Sequence, residues 1–80
     1  MLNLSNEMLS ILRNSISSQR PDLLWVIEQE EMIITEEVGD KLRDALNEEL
    51  LQNGLNSDES PNQLGFKLEY LIDYIGRYYF

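Results

Sequence analysis

The chain has 80 residues, with 15 acidic and 6 basic side chains and a net charge of −9. This length allows one domain with a small core, and the 42% hydrophobic content is normal for a folded globular protein. The absence of cysteine and histidine excludes disulfides, thiol chemistry, the usual zinc sites and acid–base catalysis by histidine.

Charge is distributed unevenly along the chain. Residues 1–27 and residues 60–80 each hold two acidic and two basic side chains, whereas residues 28–59 hold eleven acidic and two basic ones. The whole net charge therefore lies in the middle, which disfavours direct binding to nucleic acid or to an anionic membrane. No apolar run reaches the length of a signal sequence or a membrane span, so we expect a cytoplasmic protein.

Residues 4–18 are expected to form the first helix. Asn3 or Ser5 can cap its start, and Arg20-Pro21 ends it because the residue before a proline avoids the helical conformation. Its apolar side chains recur at steps of three and four residues and so share one face. These side chains are Leu4, Met8, Leu9, Ile11, Leu12 and Ile16.

Residues 22–31 are expected to form a short second helix. Pro21 followed by Asp22 is typical of a helix start. The run 23–27 is apolar without a break, so its periodicity also allows a strand paired in a hairpin with residues 32–34. We favour a helix followed by an extended connector. The intervening segment Glu-Gln-Glu-Glu lacks the residues that favour a hairpin turn, and a lone hairpin is only marginally stable. Trp25 is expected to lie in the core.

Residues 35–53 are expected to form the third helix. Thr35 can cap it, with Glu36 and Glu37 in the first turn, where the helix dipole favours acidic side chains. Gly54 is expected to end the helix in the left-handed conformation. The inward face is predicted to consist of Val38, Leu42, Ala45, Leu46 and Leu50.

Four acidic residues of this helix, here called the acidic ridge, are spaced by four. They are Glu36, Asp40, Asp44 and Glu48. Like charges at this spacing destabilise a helix by a few tenths of a kcal/mol per pair, and the sequence suggests no basic neighbour for the ridge. Two interpretations remain open: a solvated face that keeps the protein in solution, or a docking surface for a basic protein.

Residues 61–79 are expected to form the fourth helix. Ser60, Pro61 and Gln63 have the pattern of a capping box followed by a first-turn proline. Gly65 and Gly76 each weaken a helix by about 1 kcal/mol relative to alanine, and we expect them to mark close approach of another helix. The apolar face is predicted to consist of Leu64, Leu68, Leu71, Ile72, Ile75 and Tyr79.

A second side of the same helix is aromatic. This aromatic face consists of Phe66, Tyr70 and Tyr74, continued by Arg77 and Tyr78. One interpretation is that the helix is buried on two sides, with the second helix covering the aromatic face. The other is an interface with a partner or a second copy, because tyrosine and arginine are favoured at interface centres.

The loop before this helix alternates oxygen-bearing side chains in the manner of a calcium loop. Pro61 and Lys67, however, occupy the positions at which that loop requires glycine and a bidentate glutamate. We therefore expect no calcium site, and no other metal or cofactor site is indicated. The carboxylates are expected on exposed surface without a cleft, so the sequence indicates no enzyme.

The sequence thus predicts one all-α domain over residues 1–80, with four helices near 4–18, 22–31, 35–53 and 61–79. The expected function is a non-enzymatic module that docks a basic protein, as an inhibitor, immunity protein or adaptor. The alternative is a structural homodimer that uses the aromatic face and has no dedicated acidic docking site.

Overall fold

The computed structural model describes residues 4–30 and 33–78, the last residue by its backbone alone. Within these residues the chain is an all-α domain, as predicted. A single 3-10 turn, Pro21–Leu23, leads directly into the second helix. The four α-helices are α1 (Asn6–Gln19), α2 (Leu24–Ile27), α3 (Glu36–Asn53) and α4 (Gln63–Tyr78).

The helix α1 begins after Ser5, whose hydroxyl accepts a hydrogen bond from the backbone N–H of Met8 at 3.2 Å. It ends at Gln19, and the N–H of Arg20 still donates to the carbonyl of Ile16. The helix therefore begins two residues later and ends one residue later than predicted. Ser5 is the cap because its backbone is extended while its side chain reaches the first turn.

The second helix is much shorter than the predicted range 22–31. It ends at Ile27, residues 28–30 form a turn and a bend, and Glu31 lies outside the described residues. Acidic side chains at a helix C-terminus oppose the helix dipole, and the run after Ile27 is rich in glutamate. Leu23 to Ile27 are helical and no strand follows at residues 33 and 34, so the hairpin alternative is wrong.

Trp25 is 56% exposed, so the prediction that it lies in the core is wrong. Leu23, Val26 and Ile27 are buried and occupy the inner face at helical spacing. Position 25 lies on the other side of this short helix, because one helical turn cannot bury five consecutive apolar residues against a single neighbour.

The helix α3 is capped by Thr35, whose hydroxyl accepts from the N–H of Val38 at 3.2 Å, as predicted. Leu42, Ala45 and Leu46 are buried, and the other predicted inward residues pack against the core. The prediction of a left-handed Gly54 is wrong, because its φ is −98°. A Cβ at Gly54 would instead stand 2.7 Å from Leu50 Cδ1, so space rather than conformation favours glycine.

Asn62, rather than Ser60, caps α4. Its side-chain oxygen accepts from the N–H of Gly65 at 2.8 Å. The predicted capping box is wrong because Ser60 is used within the loop, where its hydroxyl donates to Asp58. Pro61 forms an isolated bridge with Leu55 and lies before the helix, which begins at residue 63 rather than 61.

The turn between α3 and α4 brings two glycines together. The backbone N–H of Asn62 donates to the carbonyl oxygen of Gly54 at 2.9 Å, and that oxygen faces Gly65. A Cβ at Gly65 would collide with it. Gly76 lies against the guanidinium of Arg43. Both α4 glycines therefore mark close approach to α3 or its end, as predicted.

The largest interface of the fold is between α3 and α4, and α1 packs mainly on α3. The third helix is therefore the element on which α1 and α4 pack, whereas α2 packs on α1 and the 3-10 turn. Tyr79, predicted for the apolar face of α4, lies outside the described residues. The core consists of Leu12, Ile16, Leu23, Val26, Ile27, Ile34, Leu42, Ala45, Leu46, Leu68, Leu71 and Ile75.

Candidate protein-binding surfaces

The acidic ridge lies on the outward side of α3. All four of its side chains are exposed: Glu36, Asp40, Asp44 and Glu48. With a rise of about 1.5 Å per residue, the row extends roughly 18 Å along the helix. The ridge is therefore long enough to contact several side chains of a partner at once. Its role in binding remains a prediction.

A cation from outside α3 lies near the ridge, which the sequence did not indicate. Arg20, just after α1, binds Asp22 through two hydrogen bonds of 3.0 and 2.9 Å. These bonds raise the pKa of Arg20, and the charge of Asp44 raises it further. One carboxylate of the ridge thus lies within the field of a guanidinium. Lys41 and Glu37 form an ion pair at 3.5 Å beside the ridge.

An open groove of about 440 Å³ runs beside the ridge. It is lined by Asp40, Arg43, Asp44, Asn47 and Ile72. Two carboxylates of the ridge, one guanidinium and an apolar side chain of α4 therefore share one concave surface. Sequence reasoning missed this groove because it depends on how α3 and α4 pack.

One signal for the groove was present in the sequence. Gly76 leaves space on α4, and the guanidinium of Arg43 lies over it, with Cζ 3.0 Å from where a Cβ would stand. A glycine within a helix can mark a position where a neighbour comes close. It does not show which residue of α3 takes the space.

The aromatic face is mostly open to solvent. Phe66 is 65% and Tyr70 49% exposed, whereas Tyr74 is half-buried and packs against the core. The rings of Tyr70 and Tyr74 stack with centroids 6.0 Å apart. The interpretation that the second helix covers this face is wrong for Phe66 and Tyr70, because α2 is a single turn that packs on α1 and the 3-10 turn.

The aromatic face continues into an ion pair. Arg77 Nη2 lies 2.6 Å from Asp73 Oδ2, one turn before it, and both side chains are exposed. The side chain of Tyr78 lies outside the described residues. The exposed row is called the outer stripe of α4 and consists of Phe66, Tyr70, Asp73 and Arg77.

Other exposed apolar side chains were not singled out from the sequence. Ile33 follows α2, and Leu51 is 58% exposed near the end of α3. Position 51 lies on the outer side of α3, as its helical spacing from the buried Leu42 and Leu46 would have indicated. These residues lie on different elements from the outer stripe.

The loop before α4 is held by its own hydrogen bonds. Asp58 Oδ1 accepts from the backbone N–H of Ser60 at 3.1 Å and from its hydroxyl at 2.6 Å. These bonds hold the pKa of Asp58 below its ordinary value. Asn56 donates to the same hydroxyl at 3.2 Å. Across residues 4–30 and 33–78, no three acidic side chains are grouped so that they could hold a metal ion.

No protein-family model, curated protein or solved structure matches this chain. None of the described helices combines the length and apolar character needed to cross a membrane. Function must therefore be inferred from the surfaces of this chain alone.

Proposed function

We propose that this protein is a non-enzymatic binding module whose acidic ridge docks a basic protein, as an inhibitor, immunity protein or adaptor. The observation that carries this proposal is the alignment of four exposed carboxylates on α3, Glu36, Asp40, Asp44 and Glu48. They belong to the segment 28–59, which holds eleven acidic and two basic side chains.

A row of like charges acts over a distance. Such a row concentrates oppositely charged proteins near the surface and raises their association rate, an effect that salt reduces. The same charge repels nucleic acid, which makes a basic protein the expected class of partner. The ridge keeps its like charges although each pair at this spacing destabilises the helix by a few tenths of a kcal/mol.

The groove beside the ridge offers a place for one basic side chain of the partner. The aliphatic part of a lysine or arginine can lie on Ile72, while its charged end reaches Asp40 or Asp44. Arg43 also lines this groove. The groove thus supplies shape where the ridge supplies charge.

The same surface is poorly suited to acid–base catalysis. Enzymes that use paired carboxylates hold them in a water-poor cleft, whereas the carboxylates of the ridge are exposed beside an open groove. This argument supports a binding role over a catalytic one.

The test is a variant in which all four ridge residues are replaced by glutamine. Removing the like charges should leave the melting temperature unchanged or slightly higher. Association with the partner should slow severalfold or more, and the binding of the unmodified protein should weaken as salt rises toward about 0.5 M. Association rates by surface plasmon resonance, with partners recovered from lysate of the native cell, measure this.

A matched control separates the ridge from net charge alone. Replacing four exposed acidic residues outside the ridge by glutamine changes the net charge by the same amount; these are Glu28, Glu30, Glu59 and Glu69. This control should retain most of the association rate. Equal loss in both variants, or unchanged affinity in the ridge variant, would contradict the proposal.

The exposure of Phe66 and Tyr70 favours a second candidate function, a structural homodimer formed through the aromatic face. Two exposed aromatic side chains one helical turn apart form a patch, which is more indicative of an interaction surface than a single exposed side chain is. This candidate does not require the ridge.

A further inference from the structure

We propose that the outer stripe of α4 binds the same stripe of a second copy of this chain, with the two helices antiparallel about a two-fold axis. The axis passes between residues 71 and 72 and is perpendicular to the helices. This inference develops the second candidate function and is independent of the acidic ridge.

The stripe has the spacing of a helix–helix seam. Its residues Phe66, Tyr70, Asp73 and Arg77 are separated by four, three and four positions, as in the contact row of a coiled coil. The opposite side of α4 is a seam already filled, with Leu68, Leu71 and Ile75 fully buried against the domain. The helix thus carries two seams, and within the described residues only one is covered.

The charges of the stripe select the antiparallel arrangement. In a parallel pair each position faces itself, so Asp73 would meet Asp73 and Arg77 would meet Arg77. In the antiparallel pair, a residue before the axis faces the residue that lies equally far after the axis on the second copy. Phe66 then faces Arg77 of the second copy, and Tyr70 faces Asp73 of the second copy.

Each of these facing pairs is chemically favourable. A guanidinium over a phenylalanine ring is attracted by the ring face, and a tyrosine hydroxyl can donate to a carboxylate. The ion pair between Asp73 and Arg77, at 2.6 Å within one chain, need not break. The two-fold axis generates each of the two facing pairs twice. The dimer therefore has four complementary contacts, called layers, along the two helices.

The distribution of charge is also compatible with a second copy at α4. Each chain carries −9, so two copies repel each other across α3. Residues 60–80 have two acidic and two basic side chains and are locally neutral, as are residues 1–27, so two copies repel each other less at α4 than at α3. A four-layer contact is smaller than the roughly 800 Å² per partner of standard interfaces, so we expect a weak, concentration-dependent dimer.

The first test is analytical ultracentrifugation from about 10 μM to about 1 mM. The unmodified protein should shift toward a dimer as its concentration rises. Added salt should strengthen the dimer by screening the repulsion, which is opposite to its effect on ridge docking. Phe66→Ala and Tyr70→Ala should each weaken dimerisation at least tenfold while the circular dichroism remains helical.

Leu51→Ala is the matched control, because Leu51 is exposed to a similar degree but lies on α3. It should leave dimerisation unchanged. The variant with glutamine at all four ridge positions should still dimerise, so failure of the ridge proposal and failure of this one are distinguishable.

The second test uses the absence of cysteine from the chain. Phe66→Cys and Arg77→Cys variants, mixed in an oxidising glutathione buffer, should form a disulfide-linked heterodimer. Phe66→Cys alone should not link to itself, because in the antiparallel pair its two copies lie roughly 16 Å apart along the helices, beyond the ~7 Å that a disulfide can bridge.

Three results would overturn the inference. One is a monomer throughout the concentration range. Another is self-linkage of Phe66→Cys, which requires a parallel pair. The third is equal weakening of the dimer by Leu51→Ala and Tyr70→Ala, which would place the interface elsewhere.

Discussion

Asn62 holds the turn between α3 and α4 through both its side chain and its backbone. Its amide nitrogen donates to the carbonyl of Asn53 at 3.0 Å, and its side-chain oxygen accepts from the N–H of Gly65 at 2.8 Å. Its backbone N–H donates to the carbonyl of Gly54. One residue thus satisfies carbonyls at the end of one helix and an N–H at the start of the next.

At the same scale, Asp58 gives a prediction about pH. Because the hydrogen bonds from Ser60 lower the pKa of Asp58 in the folded state, the carboxylate stabilises the fold above its ordinary pKa of 3.8. This contribution is lost as the pH falls through the lower folded-state value. Ser60→Ala removes the hydroxyl donor and should move the pKa of Asp58 back toward 3.8, as measured by NMR titration of its carboxyl group.

Ser57→Ala is the control for this titration. Ser57 is exposed in the same loop, while the two hydrogen bonds that Asp58 accepts come from Ser60. An equal rise in the pKa of Asp58 in both serine variants would show that the loop changes shape. The loss of the Ser60 hydroxyl would then not be the cause of the rise.

At the scale of elements, the end of α2 shows how charge limits a helix. Pro21 followed by Asp22 predicts a helix, but the glutamate-rich segment after Ile27 opposes the dipole at its C-terminus. The helix stops at Ile27 after one turn. Such a short helix is not stable alone and depends on the burial of Leu23, Val26 and Ile27.

The packing of α4 on α3 predicts that alanine at Gly65 and alanine at Gly76, the two glycines of α4, change the free energy of unfolding in opposite directions. Alanine stabilises a helix interior by about 1 kcal/mol relative to glycine. At Gly65 the new Cβ would collide with the backbone carbonyl of Gly54, so Gly65→Ala should lower the free energy of unfolding by about 1–3 kcal/mol. At Gly76 the nearest atoms belong to the guanidinium end of Arg43, and a small shift of this side chain makes room for the Cβ, so Gly76→Ala should be neutral or stabilising by up to about 1 kcal/mol.

Urea unfolding followed by circular dichroism measures both glycine variants. Each serves as the control for the other, because the change in helix propensity is the same. Equal effects at the two positions would show that the turn at Gly54 yields to the added methyl group.

For the whole molecule, α3 is the support on which α4 and α1 pack. This arrangement leaves two outward surfaces of different character, the acidic ridge on α3 and the outer stripe on α4. The domain is small, so the few fully buried side chains account for a large part of its stability.

The core therefore gives the prediction for the whole molecule. Leu68→Ala or Leu71→Ala should lower the free energy of unfolding by about 2–5 kcal/mol, because each side chain is fully buried and leaves a cavity. Phe66→Ala, on the exposed side of the same helix, should change it by less than about 0.5 kcal/mol at low micromolar protein concentration. Thermal and urea unfolding of the three variants measure this difference. A loss below about 0.5 kcal/mol for both leucine variants would mean that this face of α4 is not the core.

The sequence by itself determined what depends on neighbours within the same helix. The buried faces of α3 and α4 follow from their three- and four-residue spacing, and the cap Thr35 follows from its position before a helix, whereas for α1 the sequence left Asn3 and Ser5 open. The outward row of acidic side chains on α3 follows from the same periodicity.

The tertiary structure decided what depends on neighbours from another element. The run 23–27 is apolar throughout, so only its packing on the domain shows that Trp25 faces outward. Ser60 and Asn62 can both cap a helix, and the bonds of Asn62 to the end of α3 select it. Arg43, which lines the groove beside the ridge, lies across Gly76, where α4 carries no side chain, and spacing along one helix cannot show such a contact.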